Sequence, residues 1–118
     1  MSRCLYIVGE ETLIRATSEN KGYILSIEFA WDPHKAESNE RWHRVSFHEA
    51  ATVFGDPLST TVPDPDHSLE EDRYIIVGTS YRGRMLMVAH TEEGDHIRII
   101  SARELTRRER RQYEEGHP

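Results

Sequence analysis

The chain has 118 residues, 36% of them hydrophobic and 31% charged, with a formal net charge of −6. That length fits one domain with a modest core and is too short for two independent ones. A single cysteine, Cys4, excludes an internal disulfide and a cysteine-pair zinc site, and no stretch approaches the roughly 18 apolar residues of a membrane span. The opening "MSRCLYIVGEET" breaks its short apolar run at Gly9 and falls short of a signal peptide, so the expected compartment is the cytoplasm.

Residues 1–26 hold a strand-like fragment (Leu5 to Val8), a polar middle "RATSENKG" and an apolar piece from Tyr23 to Ile27, with no convincing partner pattern. They read as an extension. "IEFAWDP" alternates, with Ile27, Phe29 and Trp31 on one side, and predicts a strand ended by Asp32-Pro33. Pro33 suits the first turn of a helix that Asp32 caps, which takes in "PHKAESNERWHR". Ser46 followed three residues on by Glu49 has the capping-box spacing, and Phe47, Ala50, Ala51 and Phe54 then form one apolar face. Two helices ending at Gly55-Asp56-Pro57 are therefore expected to form a hairpin on one side of a sheet.

The stretch "DPLSTTVPDPDHSLEED" has six acids, three prolines and no Lys or Arg, and predicts a short strand "LSTTV" in an otherwise loop-like segment. "YIIVGTS", "RMLMVAHTE" and "HIRIISA" follow, separated by Gly-containing turns, as in an antiparallel meander. Thr106 and Glu109 share the capping-box spacing at the head of a short charged helix "TRRERRQYEE". The fold class is α+β: a small antiparallel sheet, a two-helix hairpin on one face and a short C-terminal helix.

Charge is unevenly spread. "HIRIISARELTRRERRQY" carries six of the fifteen basic residues and two acids, about +4, which leaves about −10 on the rest. A basic patch on an acidic body suits an anionic ligand such as nucleic acid, or an acidic protein partner. Strand alternation puts Ile97, Ile99 and Ser101 on one face and His96, Arg98, Ile100 and Ala102 on the other; Arg103 lies at the strand's end, where parity can break. For Arg98 and Arg103 two readings stay open: phosphate binding through paired guanidinium donors, or a solvated residue paired with Glu. Arg107, Arg108, Arg110 and Arg111 read more simply as a solvated helix face.

Seven histidines are scattered without metal-ligand spacing, and no phosphate-cradling glycine loop or serine-hydrolase context exists. His90 reads as packed, His67 as exposed in the acidic loop, and His43 as a cation suited to a helix C-terminus. An enzyme built here would work through Arg, His, Tyr and Glu without metal or cofactor, and metal-free RNA cleavage is one such chemistry.

In order along the chain, "FAWDPHKAESNERWHRVSFHEAATVF", "DPDHSLEEDRY", "GTSYRGRMLMVAHTEEGDHIRIISAR" and "TRRERRQYEE" resemble the BrnT toxins of bacterial type II toxin–antitoxin systems, which share the fold of RelE-like ribonucleases. The resemblance covers roughly residues 28–115, so the expected organisation is an extension at 1–26 and a BrnT-like domain at 27–115. One departure is "RWHRVSF": Trp42 and Arg44 flank His43 where the family commonly has lysine before and glycine after. Ending a helix in a left-handed cap without glycine costs about 1 kcal/mol.

The resemblance implies a growth-slowing endoribonuclease, neutralised by a BrnA-like antitoxin whose ribbon-helix-helix domain binds operator DNA. For 2′-hydroxyl attack on the phosphate, the expected site has Arg98 and Arg103 on the phosphate, Arg73 and Arg84 as second choices, and His67 or His43 as general acid or base; the fold analogy alone does not fix these roles. Arg107 and Arg108 are assigned to RNA attraction or antitoxin docking. The competing expectations are a non-catalytic module that binds antitoxin or nucleic acid, and a decayed toxin that keeps only its antitoxin surface.

Overall fold

A computed structural model describes residues 5–8, 11–18, 25–66 and 72–116, with side chains from residue 27 onward. The meander forms as its turns predict. Strands β5 (Arg73–Thr79), β6 (Met85–Glu93) and β7 (His96–Glu104) pair antiparallel, and Gly83 and Gly94 take the positive φ angles, 84° and 61°, of their connecting turns. Strand β4 (Thr60–Pro63) adds to the outer side of β5.

Strand β3 (Leu25–Trp31) instead lies parallel to β7, with Glu28 to Ala30 opposite His96 to Arg98. The sheet is therefore mixed, which corrects the antiparallel expectation. Hairpins are legible as neighbouring runs with a tight turn between them, whereas a parallel pair needs a long crossover and leaves no local signature.

The amino-terminal segment also joins this sheet. Strand β1 (Leu5–Val8) pairs with β2 (Glu11–Ser18), and β2 pairs with β3 from Thr12 opposite Trp31 to Ser18 opposite Leu25. The seven strands run in the order β1-β2-β3-β7-β6-β5-β4. "RATS" reads as polar in the sequence, yet ladder hydrogen bonds come from the backbone, so side-chain polarity did not reveal the pairing.

Helix α1 (Pro33–His43) starts where Asp32 accepts a hydrogen bond from the His34 amide at 2.8 Å. It ends at Arg44, which holds the left-handed cap (φ 59°, ψ 32°) with its amide on the Glu40 carbonyl. Helix α2 (Phe47–Thr52) is capped by the Ser46 hydroxyl and tightens into a 3-10 turn at Val53–Gly55. Phe47, Ala50 and Val53 from this unit pack with Phe29, Trp31, Ile76, Leu86, Val88, Ile99 and Ala102 of the sheet to make the core. Each large apolar side chain so buried contributes on the order of 1.5–3 kcal/mol.

Helix α1 contributes a different kind of contact. The buried Asn39 amide donates to the Ala102 carbonyl (2.8 Å) and accepts from the Ala102 amide (3.1 Å), so it stands in for a strand neighbour where β7 runs past β3. Helix α3 (Arg107–Glu115) buries no residue; it has a complete Thr106–Glu109 capping box and is tied back by the Tyr113 hydroxyl donating to the Leu58 carbonyl at 2.6 Å.

Candidate functional site

Residues opposite each other across a ladder share a face of the sheet. The rows Tyr74-His90-Ile99 and Ile76-Val88-Ala102 face α2, while Arg73-Thr91-Arg98, Ile75-Ala89-Ser101 and Val77-Met87-Arg103 face away from it. The ladder slips between Ala89 and His90: Ala89 stands opposite Ser101 and His90 opposite Ile99, so Ile100 has no partner. This bulge reverses the alternation along β7. Ala102 turns into the core and Ser101 is exposed, which overturns the expected grouping of Ser101 with Ile97 and Ile99. Arg98 and Arg103, five residues apart, consequently reach the same face.

Beside Arg103 lies a groove of about 290 Å³, lined also by His43, Asp64, Asp66, Ile75, Met87, Ala89 and Ser101. The exposed His43 arrives from the last turn of α1. His43 and Ser101 are shared with a second cavity of about 250 Å³, completed by Lys35, Ser38, Asn39, Trp42 and Ile100. Asp64 sits in the groove because its amide bonds the Arg73 carbonyl at 2.9 Å and its carboxylate accepts from the Asp66 amide at 3.0 Å. Neither aspartate of "PDPD" is among the site residues expected from the sequence, where the segment reads as loop.

Arg103 donates Nη1 and Nη2 to the two carboxylate oxygens of Glu109, each at 2.9 Å, and Nη1 also reaches the Glu104 carbonyl at 3.1 Å. Glu109 in turn accepts from the Thr106 amide at 2.9 Å. The guanidinium, followed by the backbone donor, lowers the Glu109 carboxyl to about 2, and the same pair raises Arg103 above its ordinary value. Arg103 therefore has a structural duty, yet Nε–H and one Nη2–H remain outside these bonds, on the side facing away from Glu109.

Arg84 is placed differently, on the core side among carboxylates. Nε donates to Glu49 at 3.0 Å, Nη2 to Glu49 and to the Arg44 carbonyl at 3.0 Å, and Nη1 to Glu104 at 2.9 Å. The Ser80 hydroxyl adds a bond to Glu49 at 2.7 Å. Glu49 is 2% exposed, and the Arg84 hydrogen bonds hold its carboxyl below the ordinary range against the opposing effect of burial. Arg84 does not line either cavity.

Arg73 and Arg98 flank Thr91 in one cross-strand row, whereas Arg107 and Arg108 are exposed in the first turn of α3. Cations at a helix N-terminus oppose the dipole, so local helix stability does not account for that pair. His67 lies outside the described residues. His90 is fully buried: Nδ1 is 3.3 Å from the Val88 carbonyl, Nε2 has no hydrogen-bond partner, and the ring packs edge-on to Phe54 at 4.8 Å. Burial lowers its pKa. Among the described residues no group of three or more His, Cys, Asp and Glu is placed to hold a metal, and no helix is long and apolar enough to cross a membrane.

The fold and the site define a small α+β domain whose sheet is packed under a helical unit on one face and presents arginines beside a histidine-containing groove on the other. The family model described as ribonuclease toxin, BrnT, of type II toxin-antitoxin system matches residues 31–109. The chain belongs to that family, and membership implies an RNA substrate and an antitoxin partner. The match runs from the last residue of β3 into α3 and takes in His43, Arg73, Arg84, Arg98, Arg103, Arg107 and Arg108. A comparison with curated proteins gives no match.

Proposed function

We propose that this protein is a cytoplasmic, metal-independent endoribonuclease of RelE-like fold that inhibits growth until a cognate BrnA-like antitoxin masks it. The antitoxin carries a ribbon-helix-helix domain, and operator DNA is bound only through the complex. The toxin domain takes in residues 27–115 and the extension residues 1–26. The observation that carries the reading is the bulge at Ile100, which turns Arg98 and Arg103 to one face of the sheet; Arg103 lines the His43 groove, and Arg98 lies outside its lining, in the neighbouring cross-strand row.

In this mechanism a base takes the proton of a ribose 2′-hydroxyl, and the oxygen attacks the adjacent phosphorus. The bond from phosphorus to the 5′-oxygen breaks as that oxygen is protonated, leaving a 2′,3′-cyclic phosphate and a 5′-hydroxyl. His43, the histidine that lines the groove, is the acid–base group in this reading, and His67, next to Asp66 in the chain, is the second candidate. Arg98 and Arg103 stabilise the charge developing on the phosphate, and Arg73, Arg107 and Arg108 attract the strand. Arg84 serves the site by holding Arg44, and with it the end of α1 that bears His43.

Induced expression should arrest growth and shorten cellular RNA. His43→Ala should slow cleavage by about 100-fold or more, as loss of a general acid–base group does, with an unchanged melting temperature. A folded His43→Ala, Arg98→Ala variant that stays fully toxic refutes this site. The engagement of Arg84 and Arg103 with carboxylates favours a second reading, a non-catalytic or decayed module that binds antitoxin or nucleic acid. Purified protein that binds RNA with steep salt dependence and never cleaves it establishes that alternative.

A further inference from the structure

Trp42 is the feature that the fold does not use. It is 76% exposed, although burying an indole is among the largest apolar gains available to a small domain. The aromatic contacts of the core join Phe29, Trp31, Phe47, Phe54 and their histidine neighbours, and none of these involves Trp42. It stands instead at the lip of the second cavity, on one α1 face with Lys35, Ser38 and Asn39, which lie seven, four and three positions upstream.

The chemistry of this cavity selects its occupant. Asn39 is spent on Val45 and Ala102, which leaves the Lys35 ammonium, the His43 imidazole and the Ser38 and Ser101 hydroxyls as polar groups beside a flat indole and Ile100. No carboxylate lines this cavity, in contrast to the first groove with Asp64 and Asp66. A flat aromatic beside a cation, next to a groove that shares His43 and Ser101, matches a nucleotide with its base on the ring and its phosphate toward the lysine.

We infer that Trp42 is a stacking platform for one base of single-stranded RNA, adjacent to the phosphate held at the His43 groove, with Lys35 as that nucleotide's counter-charge. The inference rests on the ribonuclease reading for its choice of ligand. It places substrate positioning on α1 and predicts that the enzyme prefers unpaired RNA, because a base inside a duplex cannot leave its own stack to meet the indole.

The experiment uses the full chain freed of antitoxin and a single-stranded oligoribonucleotide with methylated 2′-oxygens, which binds but cannot be cut by 2′-hydroxyl attack. Trp31 is 4% exposed, so titration should quench emission from Trp42. Trp42→Ala should weaken binding about tenfold or more, and Trp42→Phe should retain most of the affinity. On cleavable RNA, KM should rise by more than kcat falls. Removing a single base from the oligonucleotide should abolish the difference between wild type and Trp42→Ala at one position along the strand.

Unchanged binding by a folded Trp42→Ala overturns the inference, as does a loss confined to antitoxin binding. Failure of the ribonuclease reading has a different signature: wild-type protein leaves unmodified RNA intact. In that case the quenching titration still decides the stacking role, since it requires no cleavage.

Discussion

Replacing Arg84 by alanine separates a fold-holding arginine from an RNA-binding one. The change removes the donors to Glu49, Glu104 and the Arg44 carbonyl at once. Glu49 is then left in the interior with the Ser80 hydroxyl at 2.7 Å and the exposed Arg82 at 3.9 Å. Stripping one partner from a buried ion pair costs about 3–5 kcal/mol, a large part of the 5–15 kcal/mol that typically stabilises a domain. At about 3–6 °C per kcal/mol for a chain of this size, the melting temperature should drop by roughly 10–30 °C.

The assay is urea and thermal unfolding of Arg84→Ala beside the double variant Glu49→Leu, Arg84→Met. The double variant leaves no charge stranded and should recover most of the loss. Acidification sharpens the comparison. The wild-type Glu49 pKa is lowered on folding, so its contribution is present above the unfolded value of 4.5 and is lost as pH falls through the folded value. In Arg84→Ala the stranded carboxylate gains by taking up a proton, so the deficit against wild type should shrink in acid. An Arg84→Ala protein with wild-type stability and a selective loss of RNA binding would refute this reasoning.

Arg44→Gly should stabilise the protein by about 0.5–1 kcal/mol in urea unfolding, because glycine relieves the left-handed strain while Arg84 still bonds the backbone carbonyl; no gain means that the cap is unstrained. Glu109→Gln should weaken α3 by about 1 kcal/mol, a small value because both Glu109 and Arg103 are about a third exposed. In wild type the Glu109 contribution is present above pH 4.5 and is lost toward pH 2, which amide exchange in α3 can follow. His90 has a depressed folded pKa, so the unfolded chain binds the proton first and stability falls as pH drops below 6.5, by at most about 1.4 kcal/mol per pH unit. His90→Leu should flatten that slope between pH 7 and pH 5, and an unchanged slope sets His90 aside as its cause.

What the sequence reveals depends on how local the governing contact is. Asp32, Ser46 and Thr106 all cap helices as their spacing predicts, because each bond spans two or three residues. Glu49 and Glu109 occupy the same position in that motif, yet Glu109 closes the box and Glu49 turns inward to Arg84, 35 residues away. Nothing local separates the two. The same limit hid the parallel β3–β7 ladder and the bulge at Ile100. It also hid the approach of Asp64 and Asp66 to His43, since that groove is assembled from segments before and after the acidic loop.

The two arginines that most resemble structural pins are not equivalent, and donor geometry says why. Arg84 places four of its five N–H groups on protein acceptors, and both edges of its guanidinium are occupied. Arg103 gives Glu109 its Nη1–Nη2 edge and keeps the Nε–Nη2 edge, a second paired fork matched to two phosphate oxygens. The ion pair with Glu109 also fixes the rotamer in advance, so less side-chain entropy remains to be lost when an anion binds. Its structural bond and its proposed place at the phosphate therefore reinforce each other: a carboxylate held at about 2 stays ionised at neutral pH and aims the arginine from behind. For Arg84 no such second edge exists, and its contribution to any site must pass through the position of Arg44 and the end of α1.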